Sequence, residues 1–133
     1  MREILNLLLD THVLLWYLEE SDRLRPETVQ LVNDPRNVVF VSVASAWEIA
    51  IKKSLGKLYI PDNIGDWLPE QLTINRMTSL DITLAHAAGI EQLPLHHADP
   101  FDRLLISQAR SDRLTILTAD PLFQRYEVPV VRC

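Results

Sequence analysis

Four acidic side chains stand where carboxylates can do chemistry: Asp10, Glu48, Asp102 and Asp120. Asp10 ends the apolar run Leu7-Leu8-Leu9, and Asp120 closes Thr115-Ile-Leu-Thr118-Ala in the same way. Each has a plain structural use, because an Asp at a strand end caps the helix or turn that follows. Two such acids on neighbouring parallel strands would nevertheless meet at one sheet edge, where the ligands of α/β sheets collect. Glu48 lies in Ala44-Ser-Ala-Trp-Glu-Ile-Ala-Ile51, a helical segment that is apolar or small nearly all round. An ionised carboxylate there needs a partner. The choices are Lys52, four residues on, as an ordinary helical pair, or a cation bound above the sheet edge. In Asp99-Pro100-Phe101-Asp102, Asp99 with Pro100 reads as a capped helix start, and Asp102 is able to complete a capping box. The assignment favoured here gives Asp102 to the site and Asp99 to the cap.

Carboxylates converging in a cleft repel one another and call for a cation. Cys133 is the single cysteine and no helical His pair occurs, so all-oxygen ligation of Mg²⁺ or Mn²⁺ is expected rather than zinc. An ion held this way activates water and stabilises charge on phosphate, which suits hydrolysis of a phosphodiester. Thr118 and Ser45 are candidates to orient a carboxylate. Lys52, Lys53, Lys57 and Arg103 are candidate phosphate contacts, with surface solvation as the default for each. His96 and His97 are adjacent and point in different directions; they read as loop residues, with a supporting role open to one. Two other readings stay open. One is a phosphotransferase with Asp10 as nucleophile, disfavoured because Thr11-His12 follows it instead of a second Asp. The other is a non-catalytic module that grips a basic partner through its acidic pocket.

The elements that must position these residues follow from hydrophobic patterning. Apolar runs at Ile4 to Leu9, Val38 to Val41, Thr115 to Thr118 and Val128 to Val131 predict strands, and a short strand is expected within Ile74 to Leu80. A short helix should carry Val13, Leu14, Tyr17 and Leu18. Pro26 starts another, running to about Val32 with Leu31 and Val32 inward. Ser42 caps a long helix through Leu55, ended by Gly56. Further helices are expected at Ile64 to Leu72, at Thr83 to Ile90 with Leu84, Ala87 and Ala88 inward, and at Pro100 to Arg110 with Leu104, Leu105 and Ala109 inward. Alternating strands and helices predict an α/β fold, a three-layer sandwich around a mostly parallel sheet.

Bulk properties fit that architecture. A chain of 133 residues, 47% hydrophobic, suits one domain over residues 1–133. Thirteen basic against eighteen acidic side chains give a net charge of -5, which excludes general coating of nucleic acid. Three glycines leave little for a glycine-built phosphate loop. The opening MREILNLLLD is too short in its apolar run for a signal peptide, and no apolar stretch reaches the ~18 residues of a membrane span. A soluble cytoplasmic protein is the expectation.

These segments resemble the PIN-domain family, and within it the VapC-type toxin ribonucleases of type II toxin–antitoxin systems. The resemblance spans essentially the whole chain. Leu7-Leu-Leu-Asp-Thr-His-Val-Leu-Leu-Trp16 resembles the opening strand with the first acid, Asp10. Val41-Ser-Val-Ala-Ser-Ala-Trp-Glu-Ile-Ala-Ile-Lys52 resembles the second motif, with Glu48. Asp99-Pro-Phe-Asp-Arg-Leu-Leu-Ile-Ser-Gln-Ala109 resembles the third, with Asp102, and Leu117-Thr-Ala-Asp120 the fourth. His12 departs from the Asn common at that place. The resemblance implies an α/β/α sandwich, a Mg²⁺- or Mn²⁺-dependent endoribonuclease, and a homodimer. It also implies a cognate antitoxin whose C-terminal segment wraps the protein and occludes the acidic pocket. The negative charge suits an RNA chosen by structure, such as a tRNA or rRNA loop.

Overall fold

The computed structural model describes residues 4–133, so the first three residues of the expected domain lie outside it. Five strands form one sheet: β1 (Asn6–Leu9), β2 (Val38–Ser42), β3 (Thr78–Leu80), β4 (Thr115–Thr118) and β5 (Val130–Arg132). Their order is β3-β2-β1-β4-β5, and every neighbouring pair is parallel, with Leu8 opposite both Phe40 and Ile116. Parallel neighbours need long crossovers. Six helices serve them: α1 (Thr11–Leu18), α2 (Pro26–Asn33), α3 (Val43–Ser54), α4 (Ile64–Ile74), α5 (Leu84–Gly89) and α6 (Pro100–Asp112). The expected α/β sandwich is present.

Side chains alternate between the faces of the sheet, so each strand feeds two cores. Leu7, Leu9, Val39, Val41 and Leu117 pack with Val13, Leu14, Val32 and Leu68 from α1, α2 and α4. Leu8 and Ile116 face the other way, against Leu104, Leu105, Ile106 and Ala109 of α6. Helix α3 serves both: Ile49 joins the first cluster and Ala44 the second. Capping sets its start, since the Ser42 hydroxyl accepts the Ala44 N–H at 3.0 Å. That hydroxyl donates to Gln108 Oε1 at 2.6 Å, which ties the start of α3 to α6. Gly56, just past the helix, takes φ +73°, a conformation that only glycine adopts without strain.

The structure revises some local expectations. Strand β1 begins at Asn6, leaving Ile4 exposed, and β5 is shifted to Val130–Arg132. Helix α4 continues to Ile74, carrying Pro69 inside it, so only Thr78–Leu80 of the uncertain stretch is strand. The largest change is in α5. Leu84, Ala87 and Ala88 are exposed, Leu84 at 86%, and the inward residue is His86. A six-residue helix carries too little periodicity to show its inner face. Polar bonds decide it instead: His86 Nδ1 accepts the Thr83 N–H at 3.1 Å, and Nε2 meets Asp112 Oδ1 at 3.1 Å. Ser107 donates to the His86 carbonyl at 2.5 Å, and a Cβ on Gly89 would lie 2.7 Å from the Ser107 hydroxyl. This helix sits on α6 by close approach, not by an apolar stripe.

Candidate active site

Strands β1 and β4 are parallel neighbours, and their carboxyl ends deliver Asp10 and Asp120 to the same edge. Asp10 continues the ladder, its N–H donating to the Leu117 carbonyl at 3.0 Å, before the chain turns into α1. Each of its carboxylate oxygens accepts one hydrogen bond. Oδ1 accepts the His12 N–H at 3.1 Å as the cap of α1, and Oδ2 accepts the Thr118 hydroxyl at 2.6 Å. Thr118 in turn accepts the Asp120 N–H at 3.0 Å, so one hydroxyl links both strand-end acids. Thr118, a candidate to orient a carboxylate, thus holds Asp10 Oδ2. Ser45 has a different partner: it accepts the Thr11 hydroxyl at 2.8 Å, joining α3 to α1.

Glu48 is buried on α3, 7% exposed, and Lys52 Nζ lies 2.8 Å from its Oε2. The i to i+4 helical pair is thus present, and it stands inside the acidic cavity, which both Glu48 and Lys52 line. Asp99 caps α6 through Oδ1, which accepts the N–H groups of Phe101 at 2.8 Å and Asp102 at 3.1 Å. Asp102, one turn in, points to the cavity, its Oδ2 3.9 Å from His97 Nε2. Asp120 caps the short 3₁₀ turn Pro121–Arg125, with Oδ1 accepting the Leu122 N–H at 2.9 Å. The cavity measures about 390 Å³ and is lined by Asp10, His12, Trp16, Glu48, Lys52, Asp99, Asp102, Ala119 and Asp120. A larger cavity, about 430 Å³, lies where α1, α2 and α4 face one another, but Glu20 is its single carboxylate. Size does not locate the chemistry here. Trp16 lines both spaces.

Five carboxylates against one lysine give the site its electrostatics. Burial pushes the Asp102 carboxyl up to about 8, helped by the charges of Asp10, Asp99, Glu48 and Asp120. Burial also raises Asp10, against the opposing bonds from Thr118 and the His12 N–H. At Asp120 burial again opposes ionisation, but the Leu122 N–H, the His97 hydrogen bond and the charge of Arg132 outweigh it. Its carboxyl lies below the usual range. A cation would relieve the stress on Asp102, and the donor set is mainly hard oxygen, so these residues fit a divalent ion. His97, Asp102 and Asp120 each offer a ligand atom, all within 4.8 Å of one another. Asp10 and Glu48 line the same cavity without joining that tight group.

The main surprise is His97. The local sequence predicts a loop residue with a supporting role open to it, and the side chain is buried, with Nε2 3.1 Å from Asp120 Oδ2. Nothing in the local pattern marks the burial, because the aromatic residues that cover it, Phe123 and Tyr126, come from a distant turn. Arg103, a candidate phosphate contact, donates to the carbonyls of Ile90, Leu93, Pro94 and His97. Lys53 donates to the Asp62 carbonyl, and Lys57 is exposed outside the cavity.

A model of the PIN domain matches residues 7–129, and the chain belongs to that family. Among curated proteins, Ribonuclease VapC16 of Mycobacterium tuberculosis (strain ATCC 25618 / H37Rv) is 40% identical over 62 residues, 47% of this chain and 44% of that one. The match thus spans less than half of that relative. Among solved structures, VapBC2 from Rickettsia felis bound to a DNA fragment from its promoter aligns over 97% of this chain and 99% of that one. Its TM-score is 0.72 at 15% identity. DNA-bound VapBC from Salmonella typhimurium aligns over 97% and 98%, with a TM-score of 0.64 at 18% identity. These structural likenesses establish the fold.

Proposed function

From membership in the PIN-domain family we propose that this chain is a divalent-metal-dependent endoribonuclease, the toxin of a toxin–antitoxin pair. The observation that carries the reading is the cavity itself, in which Asp10, Glu48, Asp99, Asp102 and Asp120 face one lysine. Nothing in a structural use of those acids calls for such crowding. Asp10, Glu48, Asp102 and Asp120 are the residues assigned to hold the ion, Mg²⁺ or Mn²⁺. When bound, the ion balances the cluster, activates water and offsets charge on the phosphate.

The chain's own residues do the rest. Thr118 and the His12 N–H hold Asp10 in one rotamer, so its geometry is set before substrate arrives. Lys52, 35% exposed at its side chain, presents an ammonium at the cavity wall for a phosphate. Trp16 offers a half-buried aromatic face at the rim, where an unstacked base can lie. Thr11-His12 follows Asp10 where an aspartyl phosphotransferase has a second Asp, which disfavours that reading.

The relatives supply the partners. VapC16 is named a ribonuclease, and the solved neighbours are VapBC assemblies. An antitoxin segment that occupies the acidic pocket and a homodimer complete the proposed assembly. No helix among the described residues is long and apolar enough to cross a membrane, and a cytoplasmic site of action is part of the proposal. The test is cleavage of structured RNA with Mn²⁺ by the wild type and Asp10→Asn. Cleavage is expected from the wild type alone and is expected to stop with EDTA. Equal cleavage by both proteins would falsify the assignment.

A further inference from the structure

We propose that His97 is a positioning residue, whose Nε2–H fixes the Asp120 carboxylate for metal binding while the ring stays outside the ligand set. The inference rests on the metal reading above and adds how its most exposed acid is held. Asp120 belongs to a five-residue turn, and its side chain is 34% exposed. Such a carboxylate would rotate freely if it were held at one end only. Two bonds bracket it: the Leu122 N–H on Oδ1 at 2.9 Å, and His97 Nε2 on Oδ2 at 3.1 Å.

His97 is itself immobilised. Its ring stacks on Tyr126, centroids 5.6 Å apart and 19° between planes, and meets Phe123 edge-on at 5.0 Å. Its N–H donates to the Tyr126 hydroxyl at 2.9 Å, and its carbonyl is one of the four that Arg103 holds. Phe123 belongs to the turn that Asp120 caps, and Tyr126 follows it directly, so donor and acceptor share one frame.

The tautomer decides between positioning and ligation. A carboxylate facing Nε2 requires the proton there, and Nδ1 is buried with no hydrogen-bond partner among the described residues. To ligate through Nε2, the ring would have to carry its proton on Nδ1, where no group accepts it. Ligating histidines ordinarily donate their second N–H to a carboxylate, carbonyl or water. The geometry suits a donor.

The experiment is Mn²⁺ titration of the wild type, His97→Gln and His97→Phe, followed by calorimetry and electron paramagnetic resonance, with thermal unfolding of each metal-free protein. Gln keeps an N–H donor without an imidazole nitrogen; Phe keeps the ring stack without a donor. His97→Gln is expected to bind within about threefold of the wild type and His97→Phe to lose about 10–100-fold, the usual worth of a group supporting a ligand. The wild-type spectrum is expected to show no directly coordinated nitrogen. A nitrogen coupling that His97→Gln abolishes would overturn the inference, as would His97→Phe binding like the wild type. If His97→Phe does not fold, His97→Gln decides alone: retained affinity supports the inference and lost affinity overturns it. Absence of Mn²⁺ binding by the wild type would instead bring down the metal reading beneath it.

Discussion

Thr118 joins the two strand-end acids through one hydroxyl, donating to Asp10 Oδ2 and accepting from the Asp120 N–H. Thr118→Val removes both bonds while keeping the shape. A buried N–H left without its acceptor costs about 1–3 kcal/mol, and a lost support for a ligand costs about 10–100-fold in activity. Urea unfolding and RNA cleavage rates should fall together by these amounts; loss of stability with full activity would detach Thr118 from the site. The acids themselves were legible because Asp10 and Asp120 each follow an apolar strand, and Glu48 interrupts an apolar helix. His97 was not, since its meaning depends on Phe123, Tyr126 and Asp120, which only the folded chain brings to it. Residue types announce a charge that needs a partner; they do not announce who covers a loop.

Elements with a long hydrophobic period were readable, and elements held by polar bonds were not. Helix α6 buries Leu104 to Ala109 along its length, and Leu7, Leu9 and Leu8 divide between two cores as a strand covered on both faces must. Helix α5 has no such period, and His86, Ser107 and Gly89 orient it. Gly89→Ala should therefore destabilise by about 1–3 kcal/mol, as overpacking does, although alanine favours helix. A rise in thermal midpoint would show that Ser107 gives way and that the close approach is incidental. The loop between α5 and α6 offers a second check. Arg103→Gln removes the charge together with the planar fork that reaches four carbonyls. It should make the 90–99 loop more sensitive to protease while leaving the salt dependence of RNA binding unchanged. Weaker salt dependence with an intact loop would restore Arg103 to the phosphate role that its charge first suggested.

At the scale of the whole molecule, the acidic edge links stability, pH and metal. The net charge of -5 is concentrated where five acids share one cavity, so the metal-free fold carries its own repulsion. The sign follows from Asp102, whose carboxyl rises to about 8 when the chain folds. Between about pH 4 and 8 the folded chain keeps a proton that the unfolded chain has released. Metal-free stability should thus decline as pH rises through this window and level off above it. The raised Asp10 carboxyl acts in the same direction, while the lowered Asp120 contributes a loss only in stronger acid. On the proposed reading, in which Asp102 is a ligand, Mn²⁺ displaces its proton on binding, and affinity should tighten from pH 6 to pH 8. At a hundred times the dissociation constant a ligand stabilises by about 2.7 kcal/mol. For a chain of this size that is a rise in thermal midpoint on the order of 10 °C. Thermal unfolding at pH 6, 7 and 8, with one fixed Mn²⁺ concentration, should show the gain growing with pH while the metal-free midpoint falls. Asp102→Asn should weaken both trends together, leaving the part that Asp10 contributes; a wild-type Mn²⁺ gain that stays constant across that range would place the ion away from Asp102.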